Sequence, residues 1–269
     1  MMNMMIPMSS ETYSHTPGVK EVNSFLSEYS AMLLGCGATC IRIQKNVQRM
    51  AIAFGVEVEM TIMPTHILLT VWNKEHTHSY ISIRQLCKGG IHFHINTKLS
   101  KLSWEVADGK VTFMEAQSRI RDIANTPHSN PCVVLILASC ANASFCRLFN
   151  GDGISVLIVF VATMGGYFLK QIMLDVKMDI RFVFFCSAFM SSVIAAAGYV
   201  FDWGNTPDVA IGTSVLYLIP GVPYINCMSD MLDGHYVCSF SRFMNAAILT
   251  FCLSAGLCGG LLVMNLRWF

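Results

Sequence analysis

Charge is what this sequence has least of. Charged residues are 13% of the 269 and hydrophobic ones 54%, whereas soluble globular domains carry about 25% charged residues. The scarcity is uneven. Of the 18 Lys+Arg, 12 precede Asn130, as do 10 of the 17 Asp+Glu, and every acid beyond that point is Asp. Seven of the eight His also fall in the first part, His235 being the exception. Two chemically different pieces therefore join near Pro127 and Pro131. A net charge of +1 gives no footprint for nucleic acid, which would show as a basic stripe or patch, so no such partner is expected. No Walker A sequence, G-x-S-x-G or H-E-x-x-H occurs. ATP-driven transport and nucleophilic catalysis thus lack their usual signatures, and no cofactor or enzymatic activity is expected. Residues 1–10 have neither a charged n-region nor an apolar h-region, so no secretory signal is expected there.

What is present reads as a membrane protein, mainly α: an N-terminal cytosolic α+β domain followed by a five-helix transmembrane bundle. Residues 1–18 are polar, end at Pro17-Gly18 and are expected to be disordered. Across 19–130, Val22, Phe25, Leu26, Tyr29, Met32 and Leu33 recur at helical steps. Gly35-Cys36-Gly37 breaks that helix, and Ile41, Ile43, Val47 and Met50 mark a second. Residues 56–63, 66–72 and 79–85 read as strands, separated by Pro64 and Asn73-Lys74. Residues 91–95 read as a fourth short strand, and helices over 97–107 and 111–124 close an antiparallel sandwich.

Residues 131–269 hold five apolar segments, at about 132–149, 154–174, 182–201, 209–225 and 243–266. Each approaches the roughly 20 residues that cross about 30 Å of hydrocarbon. Lys170, Lys177 and Arg181 cluster at the connection between the second and third segments, and Arg242 sits at that between the fourth and fifth. The 150–153 and 202–208 connections carry no Lys or Arg. The positive-inside rule then puts the N-terminal domain in the cytoplasm and Arg267-Trp268-Phe269 outside.

Residues 205–234, NTPDVAIGTSVLYLIPGVPYINCMSDMLDG, are the most unusual stretch. Thr206 offers a capping hydroxyl, with Pro207 in the first turn. About 12 residues later Pro220-Gly221-Val222-Pro223 interrupts the helix, which should restart near Tyr224. Such a break is tolerated in lipid only beside protein or a wet cavity, and discontinuous helices are where secondary transporters bind substrate; a plain proline kink is the bland alternative. Asn226 lies one turn before Asp230 on the same face. An acid at that depth is a proton acceptor or substrate-orienting group, or else an interfacial acid in a loop with Asp233. Arg147 either pairs with a substrate carboxylate or snorkels to the outer interface. Asn142, mid-segment, is placed to hydrogen-bond a neighbouring helix.

His76 with His78, and His92 with His94, pair on strand faces, but no Cys, Asp or Glu stands at ligand spacing. Ordinary packing is the expectation for them and for Cys36 and Cys40, which stand four apart on a helix. No metal site is expected. Eight of the 11 Cys lie in the apolar half, where they act as small hydrophobes.

The segment running from Asn205-Thr206-Pro207 through Pro220-Gly221-Val222-Pro223-Tyr224-Ile225-Asn226 to Asp230 and Gly234 resembles the threonine/serine exporter family. The likeness is to the larger subunit of its split, two-chain form, one version of which is linked to succinate export. Weaker likenesses are Cys36-Gly37-Ala38-Thr39 and the stretch from Phe145 through Arg147 to Gly151. The resemblance implies a cytosolic N-terminal domain, five spans, no catalytic residue to carry over, and a smaller multi-span partner subunit, expected to be a separate chain. Pro220, Gly221, Asn226 and Asp230 are carried over as transport-site candidates; Pro223, Arg147 and Asn142 join them from the residue-level reading. The expected function is a subunit of an inner-membrane secondary exporter for small carboxylates, succinate-like dicarboxylates or threonine/serine. The alternative is a membrane-anchored enzyme or ligand-sensing subunit acting through the His-bearing domain.

Overall fold

The computed structural model describes residues 17–86, 90–126 and 130–265. The chain splits into two compact units, Met1–Asn125 and Thr126–Phe269. The expected disorder of residues 1–18 falls largely outside the described residues, as do Cys87, Pro127 and the terminal Arg267-Trp268-Phe269.

The first unit packs helices on one face of a sheet. Helix α1 (Val19–Gly35) and α2 (Cys40–Phe54) precede strands β1 (Val56–Ile62), β2 (His66–Asn73) and β3 (Ser79–Gln85), and α3 (Phe93–Ala107) and α4 (Phe113–Ala124) follow. The strands form an antiparallel meander, β1-β2-β3, with Leu69 opposite Met60 on one side and Ser82 on the other. Period-2 alternation turns Ile67, Leu69 and Val71 of β2 inward, where they are fully buried, as are Val22, Leu26, Tyr29 and Leu33 of α1, the helix packed on this strand. Each such side chain stabilises by about 1.5–3 kcal/mol relative to exposure. Asn23 ties the helix to the sheet by donating to the carbonyls of Leu69 (3.2 Å) and Tyr80 (2.9 Å). Gly37 turns the chain between α1 and α2 at φ +81, where a Cβ would also crowd Ile91.

The fourth strand expected at residues 91–95 does not form. Phe93 opens α3 instead, four residues ahead of the expected start, because Leu99, Leu102 and Val106 recur at helical steps and are buried. The Tyr29 hydroxyl donates to the Leu99 carbonyl at 2.9 Å, and burial pushes its phenol well above the ordinary value.

The second unit is helical throughout its described residues: α5 (Pro131–Leu148), α6 (Gly153–Asp175), α7 (Ile180–Val200), α8 (Pro207–Ser214), a 3-10 turn (Leu216–Leu218), α9 (Gly221–Leu232) and α10 (Tyr236–Val263). Asn130, Asp152 and Asp179 cap α5, α6 and α7 through their side chains. Left-handed residues close the helices: Asn150 after α5, Lys177 after α6, Asp202 after α7 and Gly234 after α9. Among the described residues four helices are long and apolar enough to cross a membrane, and α8 with α9 make a fifth if the bent pair counts as one span.

Helix α7 is the centre of this unit, packed on α6, α8 and α10. Its inward face is small: Ala188, Ser191, Ser192, Ala195 and Ala196 are all fully buried. Small residues let helix backbones approach closely in lipid. A Cβ at Gly260 of α10 would run into the Ser192 hydroxyl, and one at Gly256 into the Phe185 carbonyl. Two expected boundaries are corrected. Helix α10 begins at Tyr236 rather than 243, so Arg242 lies within a helix and not in a connection. The fourth segment continues to Leu232 but is broken on the way.

Candidate functional site

The break carries most of the candidate residues. Helix α8 and α9 meet at an angle of 60°. Unwinding starts earlier than Pro220: Thr213 and Ser214 turn their hydroxyls back onto the carbonyls of Val209 (2.6 Å) and Ile211 (2.8 Å), a local bond that competes with the helix ladder. The chain tightens to 3-10 over Leu216–Leu218, and Ile219 is extended at φ -60, ψ 123. The proline after it disfavours the helical conformation there. Helix α9 then starts at Gly221, with Pro220 as its N-cap and Pro223 inside the first turn. A proline is tolerated in that turn because its missing N–H has no helical partner.

The expected restart near Tyr224 is therefore three residues late. The Gly221 N–H donates to the Ile219 carbonyl at 2.8 Å and Pro223 has none to give. The α9 N-terminus thus offers far fewer free donors to an anion than an unobstructed helix end.

Asn142 is what satisfies the unwound backbone. It is 3% exposed, and its amide donates to the Thr163 hydroxyl (2.6 Å) and the Thr213 carbonyl (3.1 Å). One residue of α5 thus joins α6 to the frayed end of α8. The 3-10 turn is held from the other side by Tyr217, whose hydroxyl is 3.0 Å from that of Ser191, which donates in turn to the Ala162 carbonyl at 3.1 Å. Gly166 makes room for this knot, since a Cβ there would strike the hydroxyls of Ser191 and Tyr217.

Asp230 lies in α9, not in a loop with Asp233, and is fully buried. Its Oδ2 stands 3.1 Å from the Arg242 Nε of α10, whose side chain is 18% exposed. Nearby, the Ser239 hydroxyl donates to the Cys227 carbonyl at 2.8 Å, and the Tyr224 and Thr250 hydroxyls meet at 3.0 Å. These contacts hold α9 against α10. Asn226 is half-buried one turn before Asp230.

Arg147 stands apart from this group. It is exposed, and its Nη1 donates to the Gly151 carbonyl at 3.1 Å. It lines an open groove of 730 Å³ between α5 and α6 with Cys140, Ser144, Val156, Leu157 and Phe160. Thr206 does not cap α8 through its side chain. Its hydroxyl donates to Asp152 at 2.8 Å, and the Asn205 N–H reaches the same carboxylate at 3.2 Å. Hydrogen bonds from Ser155, Thr206 and Asn205 hold the Asp152 carboxyl well below the usual carboxylate range.

The paired histidines are scattered over short connections and a helix start. His76 meets Glu57 at 3.0 Å in the β2–β3 turn, and His92 and His94 sit at the start of α3. Cys36 caps the end of α1 and Cys40 opens α2, and both are buried. Among the described residues no group of three His, Cys, Asp or Glu is placed to hold a metal ion. Sequence reasoning missed Arg242 as a partner, and it missed Tyr217 and Ser191. An Arg beside a buried Asp and a Tyr inside the unusual 205–234 stretch were the available signals.

Comparison with known proteins follows the same lines. The family model described as "Putative threonine/serine exporter" matches residues 24–264. The protein named probable succinate transporter subunit YjjP from Escherichia coli (strain K12) is 27% identical over 238 residues, covering 87% of this chain and 91% of the relative. Its namesake in Klebsiella aerogenes is 26% identical with the same coverage. A probable threonine/serine exporter from Mycobacterium tuberculosis is 20% identical over 254 residues, 93% of this chain but 46% of that protein. No solved structure matches.

Proposed function

This chain belongs to the threonine/serine exporter family, and from that premise we propose that it is the larger subunit of a secondary exporter for small carboxylates. The substrates are succinate-like dicarboxylates or threonine and serine. The transport path runs beside the broken span, α8 and α9 count as one crossing, and the five crossings leave the N-terminal unit in the cytoplasm and the C-terminus outside. A smaller multi-span subunit of the same family completes the transporter. The name "subunit" given to the two enterobacterial relatives supports that partner, as does the mycobacterial exporter, of which the match covers less than half.

The observation that carries the reading is the break itself. A single apolar crossing gives up its helix at Ile219–Pro220, and the following half-helix carries a fully buried acid paired with Arg242. Both features are costly in hydrocarbon, and neither is needed by a simple anchor. Asn142 and Tyr217 brace the break, Pro220, Gly221 and Pro223 shape it, and Asn226 with Asp230 supply polar groups on the half-helix. Arg147 lies at the α5–α6 turn, where it meets substrate at the mouth of the path. Export is tested in cells preloaded with labelled succinate or threonine and expressing the chain with the smaller subunit. Faster appearance of label outside, relative to cells lacking the chain, is expected; equal rates for both labels contradict the proposal. A phosphatase reporter should be active after Phe269 and inactive after Lys177, and the reverse pattern inverts the topology.

A further inference from the structure

We infer that Lys170 of α6, with the hydroxyl of Ser187, is the group that receives the carboxylate of the transported substrate. The inference rests on the carboxylate-export reading above and gives it a site. Setting aside the first and last two residues of each helix, the charged residues in the described helices of the second unit are Lys170, Asp230 and Arg242. Asp230 and Arg242 neutralise each other. Lys170 has no carboxylate within ion-pair distance among the described residues.

Its surroundings are those of a ligand site rather than of a lysine reaching for the interface. The ammonium group lies 5.2 Å from the Tyr167 ring centre and 5.3 Å from that of Phe184, so it is turned onto the neighbouring helix α7. Two aromatic faces attract a cation but do not neutralise it, and an ionisable group among membrane helices normally pairs or marks a substrate path. The same two rings connect Lys170 to the break. Tyr167 meets Tyr217 of the 3-10 turn at 5.8 Å between centroids, and Phe184 packs with Val215 and Leu218.

One turn along α7 from Phe184 stands Ser187, which is fully buried and whose hydroxyl has no hydrogen-bond partner among the described residues. Its carbonyl is 3.5 Å from the Tyr217 hydroxyl. A buried hydroxyl without a partner is costly, and a carboxylate oxygen is an acceptor for it. With the α9 N-terminus largely closed by Pro223 and the Ile219 carbonyl, Lys170 is the cation at the break to which an anion can pair. Amino acids and dicarboxylates share the carboxylate that this cluster reads.

The test uses the full chain purified in detergent, with succinate and threonine as probes and thermal unfolding as the readout, alongside counterflow by proteoliposomes of the assembled transporter. Wild type should be protected by one or both probes, and less so by succinamide or threoninamide. Lys170→Arg should keep most of the protection. Lys170→Met should unfold without ligand at the wild-type temperature or above it, since it loses an unneutralised cation, and should need at least about tenfold more probe for half-maximal protection. Lys170→Gln serves the same purpose should the Met variant not accumulate. Protection of Lys170→Met and Lys170→Gln equal to wild type, with wild-type counterflow intact and the KM of both variants unchanged, overturns the Lys170 site while leaving export standing. Neither protection nor counterflow of either probe by wild type overturns both.

Discussion

Neutralising Asp230 is the perturbation whose consequences can be worked furthest. At 3.1 Å from Arg242, two unit charges in an effective dielectric of about 20 attract by about 5 kcal/mol. Much of that is offset by taking Asp230 out of water, so the attraction is not the pair's net worth. The relevant quantity is the cost of removing one partner from a buried pair, about 3–5 kcal/mol, because the other charge is left uncompensated. Arg242 keeps 18% of its side-chain exposure and can draw on water, which puts Asp230→Asn near the lower end, about 3 kcal/mol. Denaturant unfolding of the purified chain in detergent should show that loss. Asp230→Asn combined with Arg242→Gln removes both charges and should recover most of it. Efflux separates structure from transport: the double variant should stay inactive, because Asp230 is proposed to serve the substrate or a proton as well as Arg242. A single Asp230→Asn variant as stable as wild type would refute the buried pair, and recovery of efflux in the double variant would reduce it to scaffolding.

Three further outcomes follow from the same geometry. Replacing both Pro220 and Pro223 by Ala should let the ladder close across Ile219, raising helicity and unfolding temperature while lowering efflux; unchanged efflux at matched expression would make the break a packing kink. Asn142→Leu removes the donor from the Thr213 carbonyl and the Thr163 hydroxyl, so it should destabilise the chain by about 1–3 kcal/mol and loosen the α8 end in hydrogen exchange, whereas protection equal to wild type contradicts the bracing role. Asp152 is depressed in the folded state, so its contribution is present above the ordinary carboxylate range and is lost as pH falls through its folded value. Asp152→Asn should lower the unfolding temperature at pH 7 and approach wild type in strong acid, and a difference that persists there contradicts the linkage.

Legibility in the sequence tracked how local the signal was. The α1 stripe from Val22 to Leu33 and the alternation in β2 depend on near neighbours, so their periods alone located them. Residues 91–95 looked strand-like because five residues are too few to show a helical period; only Leu99, Leu102 and Val106 reveal it. The start of α10 was placed late because Ser239, Ser241 and Arg242 dilute the apolar window at its beginning. Pro220 announced a break but not where it begins, which depends on Thr213 and Ser214 bonding backwards and on Asn142, 71 residues away, accepting the task of satisfying a freed carbonyl. Arg242 was read as loop charge because the turn that folds α10 back onto α9 is a tertiary event. Lys170 reads the same way, and nothing in its neighbours along the chain states that Phe184 of α7 lies beside it.

Counterflow tests the central claim most directly. Proteoliposomes holding this chain and the smaller subunit, loaded with unlabelled succinate or threonine and given no nucleotide, should accumulate the labelled form of the same compound from outside. Liposomes holding Asp230→Asn or the Pro220→Ala/Pro223→Ala variant should not. No accumulation of either label by the assembled wild-type transporter would contradict carboxylate transport beside the broken span.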